Sequence, residues 1–253
     1  MIYYKTKDEV EKMAEGGKIL AEILEKALDK LKPGITELEI EKFTEDLILQ
    51  KGAYPAFKKV RGYNFATCIS TNDVVVHGIP GKYRFKQGDV VGIDVGVLYK
   101  GLYTDHALTK IVRGQRLEVR GLDTDRFLEV GEKALEEAIR VARLGNRIGH
   151  ISKKIQDTVE GAGYSVVRSL VGHGVGRKLH EDPEVPGFLD RPIEKTPLLK
   201  EGMTIAVEVI YNKGISDVVF GSDNWTIKTK DGSVSGLFER TIAITEKEPV
   251  ILT

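Results

Sequence analysis

Hydrophobic positions in the first part of the chain have helical spacing, which gives way to the spacing of strands. Two Thr-x-x-Glu capping boxes, beginning at Thr6 and Thr36, each precede apolar residues that recur every three or four positions. The pattern predicts two helices, the first ended by Pro33-Gly34 and the second by Gly52. Runs rich in β-branched residues then predict strands over residues 66–71, 74–77, 90–98 and 102–112.

The second part of the chain repeats this order of elements. Helical spacing predicts helices from about Asp125 to Leu144 and from about Ile148 to Gly161. The strand-like runs that follow lie near residues 166–171, 204–211, 224–229 and 237–245. Two halves with the same order predict an internal duplication, and helix pairs leading into mostly antiparallel strands indicate an α+β fold. Because no linker rich in Pro, Gly or Ser separates the halves, we expect a single domain over residues 1–253.

Composition removes several classes of protein from consideration. The 253 residues include 38 basic and 38 acidic side chains, so the charge gives no indication of nucleic-acid or membrane-surface binding. No run approaches the roughly 18 apolar residues of a membrane span, and the charged N-terminal segment does not resemble a signal peptide. The single cysteine, Cys68, cannot form an internal disulfide and fits a reducing cytosol.

Two acidic residues lie in neighbouring strands that a tight turn would join. Asp94 and Asp105 lie in β-branched or aromatic runs, and Lys100-Gly101 between them has the form of a two-residue hairpin turn. A turn centred there makes the two carboxylates diagonal neighbours, whereas a turn centred on Tyr99-Lys100 places them directly opposite. Both registers put them on one face, roughly 5–8 Å apart. A loop of odd length would separate them across the sheet, so the inference depends on the turn.

Two further acids and one histidine have a similar setting. Glu208 and Glu239 are lone carboxylates in apolar runs, and His173 is flanked by glycines. Such acids could face solvent or pair with Lys or Arg, because an unpaired buried charge is very costly. Four carboxylates and one imidazole also match oxygen-rich coordination of divalent transition metals, whose charge two cations would balance. Two metals in one site suit activation of water for hydrolysis of a carbonyl compound.

Three other motifs are weaker. The run Gly172–Gly176 lacks the third glycine of a dinucleotide fingerprint, and Gly232–Gly236 has Val at the position of a nucleophilic serine. Cys68 is more simply explained as a small buried strand or pocket residue than as a nucleophile. We expect His106 and His150 to be structural.

Six segments, in this order and spacing, resemble the type I methionine aminopeptidase family. They are Asn72–Pro80, Gly92–Gly96, Tyr103–Asp105, Gly172–Gly176, Leu179–Pro183 and Phe238–Thr241. The resemblance covers nearly the whole chain and implies the pita-bread (creatinase/aminopeptidase) fold, with pseudo-twofold duplicated halves around a curved, mainly antiparallel sheet. It implies a hydrolase that removes the initiator methionine from nascent proteins when the second residue is small. Water activated by two metals would attack the first peptide bond.

The resemblance also implies a set of metal ligands. Asp94 matches the bidentate ligand of one cation, and Asp105 and Glu239 match the carboxylates that bridge both. His173 and Glu208 match ligands of the other cation, and Glu208 would also shuttle the proton of the attacking water. The family uses two divalent cations, for which Co, Mn, Fe and Zn are the candidates.

The remaining site residues implied by the resemblance would contact substrate. His180 matches the histidine that contacts the scissile amide, and His77 matches the one that positions the substrate backbone and assists proton transfer. Tyr63, Cys68 and Trp225 fall where the family forms its methionine pocket, although all three are also compatible with an ordinary core.

Four neighbours of these residues depart from the family pattern. His106, Val209 and Arg240 each follow a predicted ligand, where the family has a small or hydroxyl residue, Pro and His respectively, and Asn64 stands where Pro is frequent. Adjacent strand residues point to opposite faces, so we expect changes in packing behind the site. The alternative is that His106 or Arg240 tunes the metals through contacts with their ligands.

Two other functions remain open from the sequence. A dipeptidase acting next to proline would carry a domain before the catalytic part, for which the position of Asp94 leaves no room. A non-catalytic peptide-binding module would be expected to lack ligands that are present here. For the aminopeptidase we expect a cytoplasmic monomer that meets nascent N-termini transiently near the ribosome, with no stable nucleic-acid binding and no membrane association.

Overall fold

An antiparallel sheet of ten strands forms the centre of the fold, and helices pack on one of its faces. The computed structural model describes residues 1–114 and 122–253. The helices in these ranges are α1 (Lys7–Asp29), α2 (Glu37–Gln50), α3 (Leu122–Val141) and α4 (Ile148–Gly161). The strands are β1 (Tyr54–Pro55), β2 (Thr67–Thr71), β3 (Val74–Val76), β4 (Val90–Tyr99), β5 (Leu102–Ile111), β6 (Ser165–Val166), β7 (Val171–Gly174), β8 (Glu181–Pro186), β9 (Thr204–Asn212), β10 (Val218–Phe220), β11 (Ile227–Thr229), β12 (Ser235–Ala243) and β13 (Val250–Ile251).

The sheet is symmetric about the contact between β5 and β12. Its strand order is β1-β4-β5-β12-β9-β7-β8, with β2 also on β4, β6 also on β9 and β13 on β12. One hydrophobic cluster joins α1 and α2 to β2 and β4, and another joins α3 and α4 to β9 and β12. The predicted α+β, duplicated, mainly antiparallel architecture is therefore confirmed.

The duplication extends to individual residues, which the order of elements alone did not reveal. Gly88 precedes Asp94 by six residues, and Gly202 precedes Glu208 by the same interval. The segments before α2 and α4 also share a backbone pattern, because Phe85 N donates to Ile35 O (2.9 Å) and Leu199 N donates to Asn146 O (2.8 Å). Only the glycine spacing could have been found by aligning the two halves of the sequence.

The hairpin between β4 and β5 has the first of the two predicted registers. Lys100 and Gly101 occupy the turn with φ of 48° and 83°, the left-handed conformations that a type I′ turn requires. Gly96 is therefore opposite Asp105, and Asp94 is the diagonal neighbour of Asp105 on the same face.

The predicted helices are all present, with α3 beginning earlier and ending earlier than its apolar pattern indicated. Both predicted capping boxes are formed, at Thr6 and Thr36. Whether residues 1–253 form a single domain stays a prediction. Within the described ranges, no helix is both long enough and apolar enough to cross a membrane.

Several predicted strands need correction. The run 166–171 is divided between β6 and β7, and the run 224–229 begins only at Ile227, because Asn224 has a φ of 60° in the preceding turn. The strand predicted to include His77 ends at Val76, since His77 itself has a φ of 56°. Strands β8 and β10 were not predicted, nor were the two-residue strands β1 and β13. Pro183 and Pro186 obscure the pattern of β8, and β10 is a largely exposed strand of three residues.

The tight packing of α3 on the sheet leads to a test of the fold. A Cβ at Gly131 in α3 would lie 2.5 Å from ring atoms of Phe238 and from the hydroxyl of Tyr211, whereas a Cβ at Gly161 in α4 meets no described atom within 4 Å. We expect Gly131→Ala to lower the free energy of unfolding by about 1–3 kcal/mol through overpacking. Gly161→Ala should raise it by about 0.4–1 kcal/mol by restricting the unfolded chain. Denaturant unfolding at fixed metal concentration measures both, and shifts of the same sign would contradict the packing described here.

Candidate metal centre

Five neighbouring strands each place one predicted ligand on the same face of the sheet. Glu239 is directly opposite Glu208, and Ala107 is the cross-strand partner of both Asp94 and Glu239. Side chains alternate along a strand, so Asp105, two residues before Ala107, shares their face. In sheet order the ligands are Asp94 on β4, Asp105 on β5, Glu239 on β12, Glu208 on β9 and His173 on β7. The predicted set is therefore brought together by strand register.

Four of the five predicted ligands have donor atoms close to one another. One ligand atom from each of Asp105, His173 and Glu239 lies within 4.8 Å of the other two. His173 Nε2 is 3.6 Å from Glu208 Oε1. Asp105 and Glu239 are buried, and Asp94 and Glu208 are partly buried at the floor of a cavity of about 620 Å³.

Burial and mutual repulsion make it unfavourable for all four acids of this cluster to be ionised at once. Removal from water raises the pKa of Asp105 to about 7, and burial together with the charge of Asp105 raises the pKa of Glu208 to about 8. Burial and the neighbouring acids also raise the pKa of Asp94 and of Glu239. The arrangement therefore favours either bound protons or bound cations.

Two orphaned oxygen atoms and one oriented imidazole favour cations. Within residues 1–114 and 122–253, Asp94 Oδ1 and Glu239 Oε1 are buried without a hydrogen-bond partner. His173 Nδ1 lies 2.9 Å from Gly174 O, which directs the lone pair of Nε2 towards Glu208. Burial, with a smaller contribution from His180, lowers the pKa of His173 to about 4, so the ring is neutral and able to ligate at neutral pH. These residues fit divalent cations held by oxygen and one nitrogen.

Two more predicted histidines border the same cavity. The His180 ring packs edge-on against His173, with centroids 4.4 Å apart and planes at 74°. His77 also lines the cavity, and burial lowers the pKa of both His77 and His180. Both rings therefore favour the neutral form in which one nitrogen donates and the other accepts.

One end of the cavity is apolar and includes the predicted pocket residues. Tyr63 contacts Trp225 edge-on with centroids 5.2 Å apart, and its hydroxyl donates to Thr67 O at 2.8 Å. Cys68 is buried beside them, opposite Asp94 in the pairing of β2 with β4. The sequence analysis missed Phe57, Val60 and Leu179, which line the same end. Of these, only Leu179 had a signal, because it precedes His180.

The three departures beside ligands lie behind the site, as alternation predicts. Val209 packs in the cluster under α3 and α4. His106 is buried, and its Nδ1 lies 2.6 Å from the backbone oxygen of Glu239. Arg240 is the cross-strand partner of His106 and donates from Nη1 to Thr253 O at 2.5 Å. Any influence of these side chains on the metals stays a prediction. His150 caps α4, where its Nδ1 accepts from Arg147 N at 3.0 Å.

Comparison with known proteins assigns the family. The model of metallopeptidase family M24 matches residues 11–246. The chain belongs to this metallopeptidase family. A curated methionine aminopeptidase from Clostridium perfringens is 42% identical over 253 residues, covering 100% of this chain and 99% of the relative. The M24 assignment therefore agrees with the ligand set built by the sheet.

Solved structures support the same M24 fold. The methionine aminopeptidase from Thermotoga maritima superposes with a TM-score of 0.94 at 42% identity, covering 100% of this chain and 99% of that one. The prolidase from Pyrococcus furiosus superposes with a TM-score of 0.78 at 25% identity, covering 99% of this chain but 65% of the prolidase. The predicted resemblance to methionine aminopeptidases, the pita-bread fold and the class of metallopeptidase are confirmed. Family membership implies divalent metal ions, whereas their number and identity stay predictions.

The charge arrangement leads to a test with metal. We expect Glu239→Gln to raise the melting temperature of the metal-stripped protein at pH 8 by about 2–4 °C, equivalent to about 1 kcal/mol in a chain of this size, because it removes one of the mutually repelling acids. It should also reduce the rise in melting temperature on adding Mn²⁺, since a ligand is lost.

Glu184→Gln is the matched control for this experiment. Glu184 lines the same cavity but is exposed, so both quantities should stay at their wild-type values. An equal response to Mn²⁺ in the wild-type protein and in Glu239→Gln would exclude Glu239 as a ligand.

Proposed function

We propose that this chain removes the N-terminal methionine of newly made proteins when the second residue is small. The observation that carries the proposal is the alignment of five residues suited to metal binding on neighbouring strands, beside a cavity with an apolar end. Its similarity to methionine aminopeptidases along the full chain supports the same activity. Substrate would enter with its methionine side chain towards the apolar end and its first peptide bond over the acids.

In this proposal Asp94, Asp105, Glu239, His173 and Glu208 hold two divalent cations, drawn from Co, Mn, Fe or Zn. When bound, such cations supply polarisation of the scissile carbonyl and increase the acidity of water. The carboxyl groups suit this role because two of their oxygens are orphaned and their pKa values are raised, so cations relieve an existing cost.

Glu208, His180 and His77 are assigned to proton transfer and to orienting the substrate. Hydrolysis breaks the C–N bond, adds the water oxygen to the methionine carbonyl carbon and requires a proton on the departing amine. Glu208 is the proposed carrier of that proton, because its carboxylate lines the cavity beside His173, where the attacking water would be held. His180 donates a hydrogen bond to the scissile amide, and His77 holds the substrate backbone and assists proton transfer.

Methionine selectivity is assigned to the aromatic and apolar end of the cavity. Tyr63, Cys68 and Trp225 contribute two rings and a small polarisable thiol, surfaces on which a thioether packs favourably. The Tyr63 hydroxyl donates its hydrogen bond to Thr67 O, so the ring presents its apolar faces and edge to the pocket. A long unbranched side chain fits this end better than a charged one.

The proposed setting is the cytoplasm, where the chain acts as a monomer on nascent N-termini and meets the ribosome only transiently. The balance of 38 basic and 38 acidic side chains supports neither stable nucleic-acid binding nor attachment to a charged membrane surface.

Peptide hydrolysis tests the activity directly. After metal stripping and separate re-addition of Mn²⁺, Co²⁺, Fe²⁺ or Zn²⁺, we expect release of methionine from Met-Ala-Ser but not from Met-Leu-Ser or Ala-Pro. Cleavage of Ala-Pro alone would transfer the chain to the proline-specific peptidases. A folded protein that cleaves none of these with any ion would support a peptide-binding module instead.

Substitution of His180, with His150 as the control, distinguishes a role in catalysis from a role in metal binding. We expect His180→Ala to lower kcat about 10²–10³-fold, as for loss of one hydrogen-bond donor to a developing charge, with the metal-induced rise in melting temperature unchanged. His150→Ala is the control, because His150 only caps α4, and its kcat should match wild type. Loss of the metal response in His180→Ala would instead make His180 a ligand.

A further inference from the structure

The segment that carries His180 follows β7 as an irregular stretch of chain. Residues 175–180 leave β7 and reach β8 without forming a strand themselves. Gly176 N donates to Lys178 O at 3.0 Å, and Lys178 N donates to Glu181 Oε1 at 2.8 Å. The Glu181 carboxylate therefore closes the backbone around His180 by a side-chain contact.

The second oxygen of this carboxylate binds an ammonium group from the distant N-terminal segment. Lys5 Nζ forms an ion pair with Glu181 Oε2, and the two side chains are 1% and 0% exposed. Lys5 is itself anchored, because its backbone N donates to Gly202 O at 2.7 Å. Burial lowers the pKa of Lys5, and the hydrogen bond and charge of Glu181 act in the opposite direction.

The path of the Lys5 side chain is enclosed on the side of the His180 segment. A Cβ at Gly176 would lie 2.2 Å from Lys5 Cε and 2.9 Å from Lys5 Nζ. Only a glycine at this position therefore leaves room for the ammonium group to reach Glu181. An enclosed ion pair of this kind has few alternative geometries, unlike a pair between flexible surface side chains.

An outer ion pair joins the same two segments. Arg177 donates from Nε and Nη2 to the two oxygens of Glu9, at 2.8 and 3.1 Å, and these side chains are 46% and 20% exposed. Contacts with the N-terminal segment thus lie on both sides of His180 in sequence, and the buried one is adjacent to it.

We infer that Lys5 and Glu181 are positioning residues that hold His180 in its place over the ligand cluster. The inference rests on the proposed function, in which His180 contacts the scissile amide. Glu181 also lines the cavity, but its carboxylate is 0% exposed and both of its oxygens are bonded, to Lys5 Nζ and to Lys178 N, so we expect the pair to act through His180 and not on substrate. Loss of the pair would remove the contacts that Glu181 makes with Lys5 and Lys178, so we expect the His180 ring to shift.

Kinetics of matched variants test this inference. We expect Lys5→Met and Glu181→Gln each to lower kcat for Met-Ala-Ser about 10–100-fold, the usual cost of a small misplacement of a reacting group, with KM within about twofold of wild type. The Mn²⁺-induced rise in melting temperature should be retained, since the ligands are untouched. Lys12→Met is the control, because Lys12 pairs with Asp8 on the surface (40% and 71% exposed) and should leave kcat unchanged.

Two further experiments distinguish positioning of His180 from a purely stabilising role of the Lys5–Glu181 pair. They use the double variant and a His180→Ala background. Lys5→Met/Glu181→Gln removes both members of the pair, so its melting temperature should recover part of the loss seen in Lys5→Met while kcat stays low. In a His180→Ala background, Lys5→Met should cause no further loss of kcat. A further loss equal to that seen with His180 present, or an unchanged kcat in folded Lys5→Met, would overturn the inference.

A readout without turnover distinguishes this inference from the proposed function. In metal-free protein with ¹⁵N-labelled histidine, we expect the His180 ring resonances to shift in Lys5→Met and to stay in place in Lys12→Met. If the wild-type protein cleaves no peptide, the proposed function fails and the spectra still decide the inference. If the wild-type protein is active and the spectra of Lys5→Met match wild type, the inference fails while the function stands.

Discussion

Four carboxylates lie together on one face of the central sheet, and their mutual repulsion must be offset by the packing of the rest of the structure. Asp94, Asp105, Glu208 and Glu239 come from four adjacent strands, and in water such groups would separate. The opposite faces of the same strands bury β-branched and aromatic side chains under the helices, and this burial offsets the unfavourable acid face. Burial of the two hydrophobic cores therefore offsets the unfavourable free energy of placing the four acids together. Cations that bind the acids would reduce this unfavourable contribution and so stabilise the folded state.

Much of the acid face was predictable because it depends on short-range rules. A two-residue turn at Lys100-Gly101 sets the register of β4 and β5, and alternation then places Asp94 and Asp105 on one side. A lone acid in an otherwise apolar strand was the corresponding signal for Glu208 and Glu239. The helices that cover the other face were predictable from capping boxes and apolar spacing, which are also local.

The remainder of the site depends on tertiary contacts that leave no periodic trace in the sequence. His77 takes a left-handed conformation directly after β3, so a strand pattern assigns it wrongly. Phe57 reaches the apolar end of the cavity from a short 3₁₀ helix and Leu179 from an irregular segment, and only the folded chain shows that they meet. The start of α4 at Ile148 was predicted from apolar spacing alone, because its cap is unusual: His150 Nδ1 accepts from Arg147 N at 3.0 Å, where Thr and Glu cap α1 and α2.

The duplication explains why the acid face was easier to predict than the rest of the site. Equivalent strands of the two halves supply the acids, and Asp94 and Glu208 even share their distance from a preceding glycine. His180 follows β7 in the second half, on a segment that forms no strand of its own, so the symmetric sheet does not position it. Backbone hydrogen bonds hold the start of this segment, at Val175 and Gly176, and side-chain contacts hold its end beside His180. An enclosed ion pair is a strong contact of this kind, because separating its charges leaves each one unpaired and desolvated. Lys5 and Glu181 form such a pair, which ties the N-terminal segment, whose Met1 and Tyr3 line the cavity, to the segment that carries His180.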